Sequence, residues 1–150
     1  MNTHPYVRAY MGGIVVPTLF LLVMMTGYFV ARFILKVPEP IERVIVFPMA
    51  IVPNLWGLWN MLYARLRQGR HLPIGLHGAI LPLVLAPLGA LVTLRFNLLA
   101  VGPAPGEVVY FQQIHLPYGL IVLLICAGVA VYYLVWKYFV NFFNEVLGIA

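Results

Sequence analysis

Four long apolar runs, at 12–35, 42–64, 73–98 and 115–140, are broken only by short charged or turn-rich stretches, and they dictate the solvent in which this chain can fold. A helix needs roughly 20 apolar residues, at about 1.5 Å each, to cross a hydrocarbon core. Each run is long enough. A water-soluble fold would also need polar surface, and the chain has little to offer: 63% of its residues are hydrophobic, 9% are charged, and the mean hydropathy is +0.97. The expected fold is therefore an all-α integral membrane protein, a four-transmembrane-helix bundle of proline-kinked helices spanning residues 1–150 as a single transmembrane domain. The first run is too long for the core of a signal peptide and lacks a small-x-small cleavage site, so it is read as a mature helix.

The breaks give the connections and a topology. Lys36-Val-Pro-Glu-Pro-Ile-Glu-Arg43 holds two prolines and four charges, which stop one helix and start the next as an antiparallel hairpin. Arg65-Leu-Arg-Gln-Gly-Arg-His71 carries three arginines and a capping glycine. Val101-Gly-Pro-Ala-Pro-Gly-Glu107 is a rigid turn ending in one acid, and Val108 to Gln113 after it reads as an interfacial stretch too short to span. Basic residues divide five against four: Arg8, Arg65, Arg67, Arg70 and Lys137 on one side, Arg32, Lys36, Arg43 and Arg95 on the other. The dense arginine cluster places both termini on the cytoplasmic side, while the near-balance leaves dual insertion open. A net charge of +5 suits anionic lipid headgroups and gives no support to nucleic-acid binding, which needs a basic patch on a soluble face.

Prolines and lone polar residues mark the interior. Pro17, Pro48, Pro53, Pro82 and Pro87 are expected inside helices, where each frees the carbonyl four residues back, at Gly13, Val44, Met49, Gly78 and Leu83; Pro117 falls at the start of the fourth helix. Such carbonyls either find partners on neighbouring helices or line a polar path. Asn54 follows a kink proline near the middle of its span and shares a face with Gly57 and Met61, so it reads as a packing clasp or a lining residue. Asn60, Trp56 and Trp59 lie nearer the basic end, where tryptophans anchor at the headgroups. Trp136 and Lys137, with Tyr132, Tyr133, Tyr138, Phe139 and Phe143 around them, form an aromatic belt with a snorkelling lysine. Ala86 and Ala90 make a small-xxx-small pair for close packing.

His77, one turn into the third helix, and His115, at the opening of the fourth, should lie at opposite depths. Two axial haem ligands must share a depth, so a bis-histidine haem within one chain is not expected. His71-Leu-Pro-Ile-Gly-Leu76 and His115-Leu-Pro-Tyr-Gly-Leu120 match at five of six positions with a spacing of 44, which reads either as helix-start punctuation or as an inverted repeat. Arg95 closes the third run. Cys126 is the single cysteine, so no internal disulfide or CxxC centre can form.

The absences are informative about chemistry. There is no aspartate, and the four glutamates, Glu39, Glu42, Glu107 and Glu145, lie at or beyond the interfaces. No carboxylate cluster for metal-assisted hydrolysis, no nucleophile elbow and no phosphate-binding loop is present, so neither catalytic nor metal-ligating residues are assigned and no cofactor is named. The first reading is a non-catalytic membrane protein, a subunit or accessory component of a membrane assembly, in contact with membrane lipids and in a homo-oligomer or larger complex. A small homo-oligomeric transporter or channel is the alternative. The third reading is a lipid-, quinone- or haem-binding redox component or small membrane enzyme using His77, His115, Asn54 and Arg95.

Overall fold

The apolar runs form helices, as their length and composition require. In a computed structural model, residues 4–38, 42, 46–67, 69, 72–112 and 114–149 are described. Of the described residues, 75% are helical. Its elements are α1 (Pro5–Phe29), α2 (Phe47–Ala50), α3 (Val52–Leu66), α4 (Ile74–Arg95), three short strands, α5 (Tyr118–Val135) and α6 (Asn141–Val146). Wide π turns at Val30–Ile34 and Trp136–Val140 extend α1 and join α5 to α6. Among the described residues, three helical stretches are long and apolar enough to cross a membrane: Pro5–Ile34, Ile74–Arg95 and Tyr118–Val146. The second run instead divides. α3 alone has 15 residues, about 22 Å at 1.5 Å each, short of a hydrocarbon core about 30 Å thick.

That division comes from proline. Pro48 and Pro53, expected as interior kinks, instead sit in the first turns of α2 and α3, where the missing N–H would have had no helical partner and the fixed φ suits a helix start. Ile51 forms the joint between the two helices, and its N–H donates to the carbonyl of Met49, one of the oxygens expected to be free. Val44 lies outside the described residues. Pro17 is interior to α1, and Pro82 and Pro87 to α4, as expected.

The chain forms two compact units: Met1–His71 with Phe139–Ala150, and Leu72–Tyr138. In the first, α1 packs along α3 and against α6. In the second, α4 packs along α5, and their connection is a three-stranded antiparallel sheet in the order β1-β2-β3. β1 (Leu99–Val101), β2 (Glu107–Tyr110) and β3 (Ile114–Pro117) pair in register, with Leu99 opposite Tyr110 and Val109 opposite His115. The stretch expected to be merely interfacial is thus half of a hairpin. Its valines and tyrosine suit a pleated surface, and pairing satisfies backbone groups that a simple loop would leave bare. Gly106, at φ 79°, makes the β1–β2 turn.

Both copies of the His-Leu-Pro-x-Gly-Leu echo start a helix in the same way. Pro73 (φ −57°, ψ 138°) caps α4 and Pro117 (φ −61°, ψ 142°) caps α5, each in extended backbone just before the first helical residue. The helix start therefore falls at Tyr118, and His115 lies in β3 rather than opening the helix.

Candidate functional site

The most developed polar site lies in the first unit, and glycines make it possible. Gly12 and Gly13 occupy the buried face of α1, with Ala9 one turn earlier and Pro17 one turn later. A Cβ on Gly13 would stand 2.7 Å from the Trp56 carbonyl oxygen and 3.0 Å from the Gly57 Cα, so α1 and α3 meet backbone to backbone there. On the other helix, a Cβ at Gly57 would overlap the Tyr10 ring and Ile14. Small residues on both faces are what let two helices approach this closely.

Into this contact Asn60 extends its amide, fully buried. Its Nδ2 donates to the Ala9 carbonyl at 2.7 Å and to Asn144 Oδ1 at 2.7 Å. In return, Asn144 Nδ2 donates to Asn60 Oδ1 at 3.0 Å. The two amides thus form a reciprocal pair tying α3 to α6, with the Nδ2 of Asn60 also bonded to α1. Asn144 is 2% exposed, and a Cβ on Gly12 would stand 2.8 Å from its Oδ1. Two buried primary amides satisfy one another without a net charge, which keeps the desolvation penalty far below that of an ion pair.

Asn54, two turns before Asn60 on α3, is exposed, and its Oδ1 accepts from the Tyr10 hydroxyl at 2.5 Å. It joins α3 to α1 as a helix-packing residue would, and the buried position belongs to Asn60. Past the end of α3, Arg67 Nη1 donates to the Ile149 carbonyl at 2.6 Å, and within α6 Asn141 Nδ2 donates to Glu145 Oε1.

In the second unit the buried face of α4 is Ile74, Gly75, His77, Gly78 and Leu81. Gly75 faces the Tyr133 ring, and a Cβ on Gly78 would fall within the Trp136 side chain, so α5 and its π turn set two aromatic rings against two glycines. Trp136, expected as a headgroup anchor, is fully buried, with the His77 ring edge-on at 5.8 Å between centroids. Trp56, expected in the same role, is also buried, at 5% exposure. The Trp136 ring fills the space beside Gly78, a packing use that composition alone does not separate from anchoring. Trp59 is half-buried, and Lys137 is exposed, its Nζ 5.7 Å from the Tyr133 ring centroid and 5.3 Å from that of Tyr138.

The remaining sequence candidates are dispersed. His115 is exposed on β3, its Nδ1 2.5 Å from Glu107 Oε1 on β2. Arg95 is exposed at the last residue of α4, where a cation complements the negative end of the helix. Burial raises the Tyr110 phenol on β2 above its ordinary value. Among the described residues no three His, Cys, Asp or Glu side chains gather as metal ligands do. His77 and His115 both belong to the second unit, one buried in α4 and the other exposed on the sheet. Sequence reasoning missed Asn144, Gly12, Gly13, Gly75 and Gly78. Only helical spacing of small and amide residues could have found them, and one chain offers several equivalent spacings.

Comparison of the chain with protein-family models, with curated proteins and with solved structures finds no match.

Proposed function

We propose that this protein is a non-catalytic integral membrane protein that serves as a subunit or accessory component of a membrane assembly. Its four apolar segments cross the bilayer, the second as the 42–64 run, which holds α2 and most of α3, and both termini lie on the cytoplasmic side. The observation that carries the reading is the use made of its polar side chains. Asn60 and Asn144 spend their hydrogen bonds on each other and on the Ala9 carbonyl, and Asn54 on Tyr10. What the helices present outward is apolar: no residue of α5 is fully buried, and Leu123, Val122 and Leu124 are each 57–63% exposed. Such faces suit lipid tails and the helices of neighbouring subunits equally, whereas the amides serve to hold the fold.

Purification from native membranes in mild detergent, followed by native mass spectrometry, tests this. A different membrane protein retained at fixed stoichiometry is the expected result. A closed homo-oligomer that conducts ions or solutes in liposomes would overturn it in favour of a transporter, and a stoichiometric chromophore would overturn it in favour of a redox component.

A further inference from the structure

We propose that the cleft between the start of α1 and the end of α3 binds an anionic phospholipid, with Arg65 holding its phosphate; this rests on the membrane-spanning reading above. The cleft has a volume of about 500 Å³ and is lined by Tyr6, Met61, Leu62 and Arg65, within the range of small-molecule sites. α1 and α3 run antiparallel, Ala9 meeting Asn60 and Gly13 meeting Trp56 and Gly57. The first turn of α1 and the last turn of α3 consequently share one end of the unit. Arg8 and Arg65 lie on these two turns and Arg67 caps the second, where it is bonded to the Ile149 carbonyl, beyond the end of α6. The one carboxylate of α6, Glu145, accepts from Asn141. Arg65 is exposed, and among the described residues it makes no ion pair.

The lining has two chemistries in one cleft. A guanidinium offers parallel donors that match two phosphate oxygens, and it is weakly hydrated, so it releases water readily to such a ligand. Tyr6, whose phenol carries a donor, lines the same cleft. Met61 and Leu62, one helical turn earlier, supply apolar wall for the first methylenes of an acyl chain. A soluble anion would leave that wall unused. A zwitterionic headgroup would bring its own cation towards Arg65, so a headgroup with net negative charge fits best.

The test uses the full chain. Alkaline carbonate extraction first establishes whether it is integral to the membrane. The chain in mild detergent is then titrated with phosphatidylglycerol or phosphatidylcholine of identical acyl chains, and bound lipid is counted by native mass spectrometry. Phosphatidylglycerol should bind about fivefold more tightly, the effect of one cation at a lipid surface. Arg65→Gln should bring the two lipids to near parity, Arg65→Lys should retain part of the preference, and Arg95→Gln, which alters the end of α4, should leave it whole. Inorganic phosphate should not displace the lipid. Full preference in Arg65→Gln, or displacement by inorganic phosphate, would overturn the site. A chain that stays integral but shows no preference overturns the site alone, whereas release by carbonate overturns the membrane reading together with it.

Discussion

Replacing Asn60 by alanine tests whether a buried amide pair holds the first unit together. The substitution removes three hydrogen bonds: to the Ala9 carbonyl, to Asn144 Oδ1 and from Asn144 Nδ2. Interhelical hydrogen bonds in membrane proteins contribute about 0.6 kcal/mol each on average, and up to about 1.7. A buried polar group left without a partner costs about 1–3 kcal/mol. Asn144, 2% exposed, would be stranded in this way, whereas the Ala9 carbonyl keeps its place in the α1 ladder. Asn60→Ala should therefore destabilise the protein by about 2–4 kcal/mol. Asn144→Ala should do so by somewhat less, because only two of the three bonds involve it. Since those two bonds are shared, the double variant should be less destabilised than the two singles together by about 1–3 kcal/mol. Cavity contributions from the two truncations largely cancel in such a cycle. Reversible unfolding in mixed micelles of increasing dodecyl sulfate content measures all four proteins. Effects that add to within about 0.5 kcal/mol, or an Asn60→Ala protein with an unchanged midpoint, would refute the reasoning.

Gly78→Ala should destabilise by about 1–3 kcal/mol in the same assay, because the new methyl group falls within the Trp136 side chain; Gly89→Ala, with open space around it, is the matched control. Tyr10→Phe removes only the exposed bond to Asn54 and should lower stability by less than about 1 kcal/mol, which would make Asn54 far more replaceable than Asn60. For the proposed orientation, cysteines placed at Gln68 and Gly102 on a Cys126→Ser background should react with an impermeant reagent from opposite sides of the membrane, Gln68 from the cytoplasm; a mixed population would show dual insertion. The purified monomer should show no Soret band, since His77 is buried against Trp136 and His115 is exposed beside Glu107; a six-coordinate spectrum lost in His77→Ala would contradict this.

The sequence by itself determined most of the helices and the apolar character that makes three of them long and apolar enough to cross a membrane. Runs such as 73–98 and 115–140 are long and strongly apolar, and the helices Ile74–Arg95 and Tyr118–Val135 fall within or across them. Prolines were legible in position but not in geometry: Pro48 and Pro53 read as interior kinks, and the structure makes them helix starts. The strands are three or four residues long, too short for a period-of-two pattern to register, so the sheet between α4 and α5 required long-range pairing to appear. Only the tertiary structure decided which faces are inside. In a water-soluble helix the apolar stripe names the buried face, but a helix that is apolar all round carries no such stripe. Burial here follows small and amide residues instead: Gly12 and Gly13 on α1, Gly57 and Asn60 on α3, Gly75 and Gly78 on α4. One leucine face is like another in such a helix, so close backbone approach and a satisfied hydrogen bond choose the interface, and both are properties of two segments brought together.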